Sequence, residues 1–302
     1  MRLLKKCVFS SIILCELLAC FFVSANASAI GFGVYHDDAF GVTPFWHTGI
    51  MNVDSPDNTY IYGTITKAIV HLSSASNMEN MTPVSVTYTS YNDFLNSKSF
   101  MGYYTAISRP SLYQRNQIIA TARLLLGNSY YYKAFQQLEY SGEVTFYSPT
   151  NVVTPSAITG FRCDGVLEYA YEYNHVKLFG EDSDSESTWN ISYNCLSSRN
   201  RHSGVEIFSP IIQANLHMRS MMGDVDADGV ITAADGRLIS RYAVGLETPN
   251  QYQAYVSNVT GSTNSISSED ARLVLRAAVG IEGDETLIGT KDGYRFPNDP
   301  LS

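Results

Sequence analysis

Residues 224–246 read DVDADGVITAADGRLISRYAVGL, and this stretch decides how the end of the chain is organised. Asp224, Asp226 and Asp228 stand at alternate positions, Gly229 follows at position six, Ile231 is apolar at position eight and Asp235 closes the run at position twelve. Alternate carboxylates, a glycine for the sharp turn, a backbone carbonyl at position seven (Val230) and a last carboxylate are what an oxygen-ligating calcium loop requires. Calcium is a hard, large cation that takes several oxygens in preference to thiols or imidazoles. The plain alternative is an acidic turn that caps a helix. The helical pattern that follows, Asp235 to Leu246, recurs from Asp270 to Ile281 as DARLVLRAAVGI. Asp, Arg, Leu, Arg, Ala, Val and Gly fall at the same places in both, so the segment is a duplicated unit, each copy ending in the glycine that often follows a helix. The second loop is degraded. Asn258, Thr260, Ser262 and Asp270 fit the ligand positions only with one inserted residue, and Thr263 stands where glycine is wanted. One strong calcium site and one weak or vacant site are expected.

Upstream of residue 220 the composition changes to a Tyr-rich region of mixed pattern; the whole chain has 21 Tyr and 14 Phe but 2 Trp. At 302 residues and 45% apolar composition it has enough material for one or two cores. Residues 1–29 read as a secretory signal: a basic start (Arg2, Lys5, Lys6), an apolar run from Val8 to Val23, and Ala25, Ala27 and Ala29 offering two small-x-small cleavage sites. The mature chain is expected to begin near Ser28 or Ile30 and to be extracellular. Two rival readings are a lipoprotein box at Leu17-Leu18-Ala19-Cys20 and a retained membrane helix, the latter weakened by Glu16. No other stretch is long and apolar enough to span a bilayer. Without residues 1–29 the chain keeps 17 basic against 28 acidic side chains, a net of −11. So acidic a surface repels phosphate backbones, which argues against nucleic acid as a partner.

A calcium loop followed directly by a helix, twice within residues 222–283 of an exported chain, resembles a type I-like dockerin, with Asp in place of the usual EF-hand Glu at loop position twelve. The resemblance implies a cohesin module of a scaffoldin as partner and a place in a cellulosome. It also implies that loop positions ten and eleven and the helix face choose the cohesin. Those residues are Ala233, Ala234, Leu238 and Arg241 in the first copy and Ser268, Glu269, Leu273 and Arg276 in the second. Leu238 and Leu273 are equally open to core packing.

Two segments stand out in the region before it. Phe45-Trp-His47-Thr-Gly-Ile-Met51 is strand-like, and its small Thr48 and Gly49 let another chain approach. Phe161-Arg-Cys163-Asp-Gly165-Val-Leu-Glu-Tyr-Ala-Tyr-Glu-Tyr173 repeats apolar residues with helical period, so Cys163 falls at a helix N-terminus. There the helix dipole favours thiolate, and a neutral His within reach could take and return a proton. His47 is the candidate base.

The Cys-Asp-Gly helix start resembles the nucleophile helix of NlpC-type papain-like cysteine peptidases, usually Cys-Ser-Gly, and His-x-Gly-Ile resembles their His strand. His before Cys matches the circularly permuted branch that includes lecithin:retinol acyltransferase relatives. Gln114 to Tyr132 resembles the helix that precedes the nucleophile. Asp164 departs from the family at its Ser position. The resemblance implies an orienting group on the strand after the His strand; Tyr60–Thr64 is read as that strand, which makes Tyr62 the third residue, with His71 one strand further on. The expected fold class is α+β: a permuted papain-like module of helices and antiparallel sheet over 30–218, an all-α duplicated dockerin over 219–285, and a tail over 286–302.

The expected function is a secreted cysteine hydrolase, an amidase or peptidase acting on peptides of cell-wall or plant origin, carried to a cellulosome. Cys163 attacks, His47 shuttles the proton, and the backbone N–H of Cys163 helps hold the oxyanion. The alternative is a non-catalytic glycan-binding cargo or a glycoside hydrolase, for which Asp37, Asp38, Glu139, Glu143, Glu168 and Glu172 supply carboxylates. A Cys163–Cys195 disulfide would remove the nucleophile. His202, in HSGVEIF, also looks like a His strand and would suit the unpermuted order. His36, His175 and His217 show no partner pattern.

Overall fold

The computed structural model describes residues 28–40, 43–53, 65–73, 81–106, 108–133, 137–141, 153–176, 178, 210–214, 218–261, 265–281 and 288. Tyr62, Cys195, His202 and residues 1–27 lie outside the described residues.

The chain begins with an antiparallel pair, β1 (Gly33–Phe40) and β2 (Thr43–Met51), continues through β3 (Ile69–Leu72) and β4 (Pro83–Thr89), and makes a short helix α1 (Tyr91–Leu95). Then come β5 (Phe100–Ala106), helix α2 (Leu112–Leu124), β6 (Ser129–Tyr132), β7 (Leu138–Tyr140), β8 (Ile158–Phe161) and helix α3 (Cys163–Tyr173). The short α4 (Pro210–Ile212) and β9 (Met218–Ser220) lead into α5 (Ala233–Ala243), α6 (Gln251–Ser257) and α7 (Ser268–Ala278). The strands form one sheet in the order β7-β8-β6-β4-β3-β2-β1-β5-β9, antiparallel at every pairing except β6 with β8. This is the mixed α+β arrangement with a mainly antiparallel sheet that the sequence led us to expect.

Local chemistry fixes the helix starts. Ser111 and Gln114 form a reciprocal capping box at α2; Thr232 and Asp235 do so at α5, and Ser267 and Asp270 at α7. Thr232 and Ser267 occupy equivalent places in the two copies, so the duplication extends to the caps. Helix α3 has no side-chain cap. It starts instead where β8 ends, with Gly165 pressed so close to Gln137 that an added Cβ would lie 1.8 Å from the Gln137 carbonyl oxygen. Only glycine fits the Cys-Asp-Gly start here.

Side chains alternate across a strand, so β1 and β2 feed two cores. Tyr35, Trp46 and Ile50 face α2 and α3 and pack with Val166, Leu167, Tyr169 and Ala170. Phe32, Val34, Met51 and Ile69 face the other way and pack with Phe94, Tyr103, Met222, Val225, Leu238, Ile239, Tyr252, Val256 and Val274. The second core therefore runs without a break across the expected boundary at residue 219. Phe32 meets Tyr252 at 5.7 Å between ring centroids, and Tyr103 meets Tyr252 at 5.2 Å. The duplicated helices use the back of the sheet as part of their hydrophobic interior. Among the described residues no helix is long and apolar enough to cross a membrane.

Candidate functional site

The aspartate loop folds around its own backbone. Gly229 N–H donates to Asp224 Oδ2 at 2.8 Å, Val225 N–H donates to Asp235 Oδ1 at 2.7 Å, and Thr232 N–H donates to Asp235 Oδ2 at 2.8 Å. Asp228 N–H is shared between Asp224 Oδ1 at 3.1 Å and Asp226 Oδ1 at 3.2 Å. These bonds turn Asp224, Asp226 and Asp235 inward until one oxygen of each lies within 4.8 Å of the others. Asp224 and Asp235 are buried. Burial, then the neighbouring carboxylates, holds Asp224 well above the usual carboxylate range and pushes Asp226 up to about 6. Convergent hard oxygens under mutual repulsion are a donor set suited to a divalent cation of calcium's kind. In the second copy Asp270 is occupied internally, accepting from Thr260 N–H and Oγ1 at 2.9 Å each and from Ser267 Oγ at 2.7 Å. Among the described residues it gathers no second carboxylate. Ser262 and Thr263 lie outside the described residues.

Of the residues expected to meet a partner, Ala233, Ala234, Ser268 and Glu269 are exposed at the starts of α5 and α7. Arg241, half-buried, pairs with Glu247 at 2.7 Å, and Arg276 is half-buried. Of the two roles open to Leu238, the structure gives core packing: it is 4% exposed and belongs to the core, as its place in the helical repeat beside Ile239 allows. Leu273 is half-buried against the same core.

Cys163 and His47 are not brought together. Cys163 starts α3 and packs on the sheet face that carries Tyr35, Trp46 and Ile50. His47 is odd-numbered on β2 and points to the opposite face, its ring 5.6 Å from that of Phe94. Strand β2 lies between thiol and imidazole. The expected activation of the thiol is also reversed: Cys163 is a buried free thiol, and burial followed by the Asp164 charge pushes it up to about 12 against smaller opposing effects of Arg162 and the Thr48 backbone. Desolvation outweighs the helix dipole. Asp164, at the position of the family's Ser, is held from Arg162 by two bonds, Nε at 2.6 Å and Nη2 at 2.7 Å, with Gln137 donating at 3.1 Å.

His47 has a partner that the sequence reading ranked second. The strand paired with β2 is Ile69–Leu72, in register Gly49 with His71, and His47 Nε2 lies 3.0 Å from His71 Nδ1. His36, which showed no pattern in the sequence, joins them on the same face: its ring is 5.1 Å from His47 and 4.7 Å from Phe94. Burial, then the neighbouring imidazoles, lowers His47 well below its ordinary value, and burial with His36 lowers His71 to about 4. All that chemistry asks of a neutral, oriented imidazole is present; the thiol is on the wrong side of the sheet. Glu168 and Glu172 stand one turn apart on the buried side of α3, 0% and 2% exposed, and do not face each other across a cleft as glycoside hydrolysis requires. No family model matches the chain, and neither a curated protein nor a solved structure does, so its assignment rests on the residues themselves.

Proposed function

We propose that the chain is an exported cargo protein that takes up calcium in the 224–235 loop and docks, through its duplicated loop-helix unit, onto a cohesin module of a scaffoldin. The observation that carries this reading is the convergence of the Asp224, Asp226 and Asp235 oxygens ahead of a helix that recurs as its near copy. Asp224, Asp226, Asp228, the Val230 carbonyl and Asp235 hold the ion. Ala233, Ala234, Ser268 and Glu269, with Arg241 and Arg276 at their sides, offer the surface. Calcium fixes the loop, and the loop sets the start of α5. Surface plasmon resonance against immobilised cohesin modules tests it: binding in calcium that disappears in chelator is expected, and equal binding in both refutes it.

The upstream module is the cargo. Its separated thiol and imidazole favour the non-catalytic reading, in which exposed aromatic side chains contact glycan; most of the described tyrosines are buried in the cores, and Tyr113 (74% exposed) and Tyr131 (46% exposed) are the exposed ones among them. The hydrolase reading, an amidase or peptidase with Cys163 as nucleophile, keeps one supporting observation, the His47–His71 pair, with His47 Nε2 and His71 Nδ1 at 3.0 Å. For that reading His71 replaces Tyr62 as the orienting group. It requires a rearrangement that carries the thiol past β2.

A further inference from the structure

We propose that Arg115 is a positioning residue for the calcium loop, joining the shape of that loop to the amino-terminal segment of the folded chain. The inference rests on the calcium reading above and adds a residue from outside the duplicated unit. Arg115 stands in the first turns of α2 and is 3% exposed. One arm of its guanidinium, Nη1, donates to the Ser28 carbonyl at 2.6 Å and to the Ile30 carbonyl at 3.4 Å. The other arm, Nη2, donates to the Ala227 carbonyl at 2.6 Å. Ala227 sits between two expected ligands and has φ of 59°, a left-handed conformation that a non-glycine residue adopts only when its surroundings hold it there. The guanidinium also lies 4.2 Å from the centroid of Phe32, which meets Tyr252, and Tyr252 Oη donates to the Asp224 carbonyl at 2.8 Å. Two routes thus lead from residues 28–32 to the loop, one polar and one aromatic. Gly31 shows how tightly the segment is seated: its φ is 78°, and an added Cβ would fall 2.6 Å from the Arg115 carbonyl oxygen.

Arg115→Lys tests the role at constant charge, because an ammonium keeps the repulsion toward calcium but cannot span both carbonyls with a planar fork. Calorimetric titration with calcium chloride is expected to show affinity reduced about tenfold or more, the scale of a lost charge-assisted hydrogen bond. Hydrogen exchange read by mass spectrometry supplies a measurement on the unaltered protein. Calcium is expected to slow exchange in residues 28–34 as well as in 222–236, and the gain at 28–34 is expected to vanish in Arg115→Lys. Slowing confined to 222–236 in the unaltered chain, or unchanged affinity and protection in the variant, overturns the inference and leaves the calcium site standing. Absence of any calcium uptake by the unaltered protein overturns the calcium reading and the inference together.

Discussion

Cys163 gives the sharpest test of what the upstream module does, because the thiol is the one group without which hydrolysis has no nucleophile. Its acidity is pushed from an ordinary 9.0 to about 12. At about pH 8 an ordinary thiol of that kind is roughly one-tenth thiolate, whereas Cys163 is thiolate in roughly one molecule in ten thousand. Alkylation proceeds through the thiolate, so the rate falls about a thousandfold before burial is counted. The perturbation is iodoacetamide at near-neutral pH, the readout the mass of the Cys163-containing peptide over time, and the controls Cys163→Ala and a denatured sample. Labelling that is slow in the native chain, quick in urea and faster by about tenfold per pH unit is the expected result. Labelling of native Cys163 as fast as a small thiol at about pH 7, slowed by His47→Ala, would refute the reasoning. It would mean that an imidazolium stabilises the thiolate, and the hydrolase reading would take precedence.

Three further outcomes are expected. Leu238→Ala should cost about 2–5 kcal/mol in urea unfolding, whereas Ala234→Ser should stay within about 0.5 kcal/mol, because the first side chain is in the core shared with the sheet and the second is exposed. Glu168 is raised well above its ordinary value by burial and then by the Glu172 charge, so the folded chain holds its proton. Stability from that group is full below the ordinary carboxylate range and is lost as pH rises through the folded value; Glu168→Gln should therefore gain on the unaltered protein as pH rises above the ordinary carboxylate range, as read from urea midpoints. For the export proposed above, the released chain should begin at Ser28 and not at Ile30, since Ala29 is fully buried and Ser28 supplies both a carbonyl to Arg115 and an Oγ to the Ile30 N–H; intact mass of the chain recovered from the medium checks it.

The parts of the structure legible in the sequence are those set by local spacing. The 224–235 loop, the repeated helix and the helix after Cys163 follow from residues within a dozen positions of one another. What was not legible depends on strand parity and on distant pairing. Trp46 and Ile50 share one face of β2 and His47 takes the other, but both faces are buried, so alternation alone does not tell which one α3 covers. His71 could have been found from Ile69-Val70-His71-Leu72, whose β-branched start is a stronger strand signal than the tyrosines before it. Composition marks a change near residue 220, yet the core is continuous there, because the segment 28–34, far away in sequence, supplies its other wall.

The most direct test of the account is a calorimetric titration of chelator-treated protein with calcium, repeated on Asp224→Ala and Asp226→Ala. The account predicts one strong site in the unaltered chain and its loss in both variants. Absence of a site, or a site that survives both substitutions, contradicts it.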